Sequence, residues 1–157
     1  MKALLDLYMR FSGLISKPQF PFLLVVRLYW GWQFAQSGWG KLHHLDKVND
    51  FFTCLNLQAP RLTAHFVSGL ELVGGILLIL GLGSKLIGLV LTVNLLVADW
   101  TADKEALFAV FSDPGKFYVA DPFTFLFASA MALVFGAGLL FSLDALLVRR
   151  WDAGIAK

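Results

Sequence analysis

The sequence predicts an all-α integral membrane protein built as a four-helix bundle. Hydrophobic residues fill 58% of the 157 positions and charged residues 15%, and the mean hydropathy is +0.71. Soluble domains run near half apolar and a quarter charged. Four apolar stretches, at about 20–40, 62–82, 84–101 and 122–142, each approach the roughly 20 residues that carry a helix across the hydrocarbon. Proline, glycine and short polar residues punctuate the joints between them.

The first 17 residues place Lys2, Asp6, Arg10, Gly13 and Lys17 opposite Leu4, Tyr8, Phe11 and Ile15, the pattern of an amphipathic helix lying in the membrane interface. A short cytosolic helix packed on the bundle fits the same pattern. Asp6 and Arg10 interrupt what would be the apolar region of a secretory signal, so the segment reads as part of the mature chain. Pro18 and Pro21 open the first span. In "DKVNDFFTCLNLQAP", Val48, Phe51, Phe52 and Leu55 share a helical face, predicting a short helix against the bundle mouth. Gly81, Gly83, Ser84 and Lys85 make a tight turn between the second and third spans.

"DKEALFAVF" repeats the short-helix pattern with Leu107, Phe108 and Phe111, and Asp121-Pro122 opens the fourth span. Gly136-Ala137-Gly138 suits close packing. "FSLDALLVRRW" then starts a new helix, capped by Ser142 or Asp144. No internal repeat or low-complexity segment divides the chain, which reads as one transmembrane domain over 1–157.

Lys2, Arg10, Lys17, Lys85, Arg149, Arg150 and Lys157 fall on one side of the predicted spans, against Lys41, Lys47, Arg61, Lys104 and Lys116 on the other. This excess predicts both termini in the cytoplasm. Trp39 and Trp100 then sit in the outer aromatic belt and Trp151 in the inner one.

Arg27 and Glu71 lie deep inside predicted spans, where a charge costs a few kcal/mol unless it faces a partner or a cavity. Placed on hydropathic midpoints, the two residues differ in depth by about 5 Å, which predicts an Arg27–Glu71 ion pair. Arg27, Gly31, Ala35 and Gly38 form a stripe of small residues behind the arginine; Ser68, Glu71 and Gly75, widened by Gly74, form another. Asn94 is placed to join an intramembrane polar network with Arg27 and Glu71. Asp99 reads as solvated near the headgroups, and Lys41 either snorkels to them or guards an outer entrance. A pure helix-packing role for the Arg–Glu pair and a polar cavity for a quinone-like or anionic headgroup are both open readings.

His43, His44 and His65 lie at the outer interface, and the adjacent pair points about 100° apart, so no metal site is predicted. The lone Cys54 forms no intrachain disulfide. No hydrolase, P-loop, Rossmann, zincin or haem-clamping pattern is present, and the formal charge of +2 carries no nucleic-acid signature.

Three ordered motifs resemble the DoxX family of small four-helix bacterial membrane proteins. They are Arg27, Gly31, Phe34, Gly38, Lys41 and Leu42 in "RLYWGWQFAQSGWGKL", Glu71, Gly74 and Gly75 in "ELVGG", and Ser142 to Asp144. The resemblance covers about residues 22–147 and departs where relatives often carry Gly-Pro-Gly and this chain has Gly136-Ala137-Gly138. It implies a bacterial cytoplasmic membrane location and an association with redox chemistry; one relative, DoxD, is the membrane subunit of a thiosulfate:quinone oxidoreductase. Electrons would then come from a bound quinone or a partner redox subunit. On this reading the chain is a membrane component of a redox system, in contact with lipid, alone or as a homo-oligomer. Two alternatives stand beside it: a small-solute or proton transporter working as an oligomer, and a non-catalytic scaffold for a partner complex.

Overall fold

The first three apolar stretches become helices close to the expected boundaries, whereas the fourth, expected over 122–142, ends at Phe135, where Gly136 takes φ +66°. The structure, a computed structural model, describes residues 19–102, 104–109, 111–113, 115, 118, 121–136, 142–145 and 147. The helices are α1 (Gln19–His43), α2 (Leu45–Cys54), α3 (Pro60–Leu80), α4 (Ser84–Ala102), α5 (Lys104–Phe108) and α6 (Asp121–Phe135). No strand occurs among the described residues. The expected interfacial helix over 1–17, Gly138 and Trp151 lie outside them.

Bulky apolar side chains point outward and small or polar ones inward. Phe22, Leu28, Trp32, Phe66, Ile76, Val93 and Val97 are exposed, whereas Arg27, Ser68, Glu71, Ser84, Asp99 and Ser129 are buried. In water this arrangement would expose far more contiguous apolar surface than a soluble monomer tolerates; against lipid it is the stable one. α3 and α4 are both long and apolar enough to cross a membrane. The two short helices expected in the outer loops are present as α2 and α5.

Close packing follows the glycines. α1 runs antiparallel to α3 with Gly38 seated against the backbone of Ser68 and Leu72, and Gly75 against the backbone of Gly31 and Ala35. A methyl group at Gly38 would lie 2.6 Å from the Ser68 carbonyl oxygen, and one at Gly75 the same distance from that of Gly31. Gly74 faces the other way, with Leu91 of α4 filling the space beside it. The Gly74-Gly75 pair therefore serves two neighbours at once. Gly88 of α4 meets the backbone of Ala132 and Leu133, which seats α6. These contacts are the small-residue packing on which membrane helices rely when lipid removes the hydrophobic drive for association.

The core between the helices is thin, made of Phe34, Leu78, Leu91 and Leu95 with Phe125 and Leu126 of α6 against them. Phe125 packs edge-on to Phe34 (5.0 Å) and Trp30 (5.6 Å), tying α6 to α1. Thr92 Oγ1 and Ser129 Oγ, 3.0 Å apart, add a polar contact between α4 and α6. Trp39 and Trp100 are exposed near the ends of α1 and α4, in keeping with an aromatic belt.

The glycine contacts make a direct prediction. Gly38→Ala, whose added carbon meets backbone that cannot swing aside, should lower stability by about 1–3 kcal/mol in a detergent unfolding titration. Gly40→Ala, with nothing within 4 Å, should not lower it, and should raise it by up to about 1 kcal/mol because alanine is the better helix former.

Candidate functional site

The register set by those glycines decides which charges meet. With Gly38 facing Ser68–Leu72, the last turns of α1 stand at the level of Glu71. Ser37 and Lys41, four residues apart on one face of α1, both reach it. Lys41 Nζ donates to Glu71 Oε1 at 2.6 Å and Oε2 at 2.7 Å, and Ser37 Oγ donates to Oε2 at 2.8 Å. The Glu71 side chain is 4% exposed and that of Lys41 37%. A carboxylate sunk among membrane helices is thus held by charge-assisted bonds from a lysine that still touches the outside.

The expected Arg27–Glu71 ion pair is corrected by this geometry. Gly31 faces Gly75 and Ile79, so Arg27, a turn further back, stands beside Gly81 at the far end of α3. Measured along the helix, Arg27 lies ten positions from Ser37, roughly 15 Å at 1.5 Å per residue. Hydropathic midpoints placed the two charges nearly level because an apolar window slides over several residues without changing its mean. The glycine contacts fix the slip that hydropathy leaves free.

Arg27 belongs instead to a second polar centre at the opposite end of the bundle. Gly81, with φ +67°, closes α3 in a Schellman turn in which Leu82 N–H donates to the Leu77 carbonyl (3.0 Å) and Gly81 N–H to that of Leu78 (3.1 Å). A bulkier residue at Gly81 would collide with the Arg27 guanidinium and with Ser142. The Asp144 carboxylate accepts from Gly83 N–H (2.8 Å) and Ser84 N–H (3.2 Å), while its own N–H donates to the Gly81 carbonyl (3.1 Å). It thereby caps α4 from across the fold and is the acidic group acting electrostatically on Arg27. Ser142 Oγ caps its own segment by accepting from Ala145 N–H at 3.2 Å.

Beside Arg27 a cavity of about 20 Å³ is bounded by Leu23, Val26, Trp30, Leu78 and Met131. That is room for one water molecule and far too little for a quinone ring. Asn94 is half-buried and makes no hydrogen bond to Arg27, Glu71 or Lys41 among the described residues, so it does not join the expected network. Asp99, expected to be solvated, is 1% exposed, because it continues the inward stripe of Ser84, Gly88, Leu91 and Leu95. Gly31, Gly38, Gly74 and Gly75 are all at helix contacts. Cys54 is exposed at the end of α2.

Above the Lys41–Glu71 pair, the ends of α1 and α3 and the face of α2 border an open-sided polar pocket of about 320 Å³ lined by His43, Asp46, Asn49, Arg61 and His65, of which all but Asn49 are exposed. No cluster of three or more His, Cys, Asp or Glu side chains suited to a metal ion occurs among the described residues. Ser37 escaped the sequence reading, although its placement one turn before Lys41 was the available signal. The role of Asp144 as the cap of α4 had no local signal, since donor and acceptor stand some 60 positions apart in the chain.

Two variants test these centres. Lys41→Met should lower stability by about 2 kcal/mol, below the ~3–5 kcal/mol of fully buried pairs because the lysine is partly solvated. Adding Glu71→Gln should recover most of that loss, so a double-mutant cycle in detergent unfolding should return clear coupling. Asp144→Ala should cost about 1–2 kcal/mol and speed amide exchange at Gly83 and Ser84, with Asp144→Asn intermediate.

No curated protein and no solved structure matches this chain. The match to the DoxX family model ends at residue 104 and so contains the Lys41–Glu71 pair and the Gly81–Ser84 turn but not Ser142–Asp144. Covering residues 22–104, more than half of the chain, that match makes this protein a member of the DoxX family of membrane proteins.

Proposed function

We propose that this protein is the membrane component of a redox system and that it binds a quinone headgroup, with Lys41 and Glu71 forming the polar end of the site. The observation that carries this reading is the asymmetry of the pair. Glu71 is sealed inside the bundle, whereas Lys41 reaches it from a position open to the surroundings. An ammonium so placed can turn one of its N–H groups toward a quinone carbonyl while keeping another on the carboxylate. Glu71, held by Lys41 and Ser37, is then a store for the proton that accompanies reduction of the carbonyl.

The balance of the step requires an external electron source. Conversion of a quinone to a quinol takes two electrons and two protons; the chain's own side chains supply proton transfer, and a partner redox subunit supplies the electrons. The small size of the cavity beside Arg27 supports placing the site at the Lys41 end of the bundle. With both termini in the cytoplasm, that end faces outward, toward the outer leaflet.

A short-chain quinone titrated into protein reconstituted in lipid nanodiscs tests the reading through quenching of tryptophan emission, Trp39 being exposed two residues from Lys41. Saturable quenching is expected, weakened at least about tenfold in Lys41→Met and Glu71→Gln, a loss of about 1.4 kcal/mol of binding. Arg27→Lys should bind as the parent does. Quenching that never saturates, together with no quinone in lipid extracts of the purified protein, would sink the proposal.

A further inference from the structure

We infer that the open-sided pocket bordered by α1, α2 and α3 is a binding site for a phosphoethanolamine lipid headgroup. The inference is independent of the quinone reading and rests on different side chains. Its starting point is where the cavity lies: at the mouth of the bundle, between the last turn of α1 and the first turns of α3, a helix able to cross a membrane. Phospholipid headgroups occupy that level. The cavity, about 320 Å³, is large enough for a phosphoethanolamine group and is walled on one side by the apolar Leu42.

Its chemistry is zwitterionic. Arg61 contributes a fixed cation and Asp46 a carboxylate, and neither is in an ion pair among the described residues. The two histidines extend the acceptor side. His43 donates its Nδ1–H to the Trp39 carbonyl at 3.0 Å, and His65 donates its Nδ1–H to the Arg61 carbonyl at 2.8 Å. These bonds tie Nδ1 of each ring back to its own helix and leave Nε2 as the ring's remaining polar atom. Asn49 adds an amide, which donates through its nitrogen.

The donors and acceptors of phosphoethanolamine answer this set. A primary ammonium has three N–H groups to place, and the pocket offers the Asp46 carboxylate with the imidazoles of His43 and His65 beside it. The phosphodiester carries one negative charge, and Arg61 with Asn49 supplies its donors, the guanidinium fork being suited to phosphate oxygens. Two competing headgroups fail for stated reasons. Choline has no N–H to give the acceptors, and glycerol carries no charge for Asp46.

Native mass spectrometry of the full-length protein with equimolar phosphatidylethanolamine, phosphatidylcholine and phosphatidylglycerol of identical acyl chains tests the assignment. Phosphatidylethanolamine should be retained about tenfold more than either competitor. Asp46→Asn should abolish its advantage over phosphatidylglycerol without weakening phosphatidylglycerol itself, and Arg61→Gln should weaken both. His65→Leu should lower retention of phosphatidylethanolamine alone. Equal retention of all three lipids in the parent, or equal retention of phosphatidylethanolamine and phosphatidylglycerol, would overturn the proposal, the second by showing a site for phosphate only. These results are read without any quinone present, so the quinone site can fail while this one stands.

Discussion

Contact between the backbones of α1 and α3 is the constraint from which the remaining features follow. Where Gly38 rests on Ser68 and Leu72, and Gly75 on Gly31 and Ala35, no side chain separates the two helices. Sliding one helix by a single residue would drive a side chain into main-chain atoms, which have no rotamer to escape through. The relative depth of every group on the two helices is therefore fixed. Lys41 is brought to Glu71 and Arg27 to the end of α3 by one and the same setting. The charges do not choose their partners; the glycines choose for them.

Within that frame the charges are divided between the two ends of the bundle. At one end a buried carboxylate depends on a half-exposed lysine, a pair with one member able to change its surroundings. At the other, Asp144 secures two backbone amides and acts on the buried Arg27. The first centre has a polar cavity above it; the second has beside it space for a single water. The proposed ligand sites lie at the former, and closure of the fold lies with the latter.

Much of this was legible in the residues. Each apolar stretch became a helix, the glycine and serine positions between the second and third spans became the turn, and the small-residue stripes became the helix contacts. Those features are local or periodic, and periodicity survives uncertainty about depth. Pairing does not. Arg27 and Glu71 are both unusual in their helices, and their rarity suggested that they answer each other, yet the partner of Glu71 was an ordinary interfacial lysine. A residue at a span's edge reads as solvated because composition places it there, and only helix register reveals that it folds back. Asp99 shows the same error from a different cause: its distance from the span centre suggested water, while its phase on the helix turned it inward.

The cap on α4 has a consequence for the order of assembly. A chain emerging from the ribosome presents the Gly83 and Ser84 amides long before Asp144 exists. The α3–α4 hairpin must therefore enter the bilayer with the start of α4 still bonded to water or headgroups. When the C-terminal segment arrives, it displaces those provisional partners and brings a negative charge to the buried guanidinium in the same movement. A segment made after both helices thus acts as a latch on a hairpin already in place, so that truncation before residue 144 would leave an inserted but unfastened bundle.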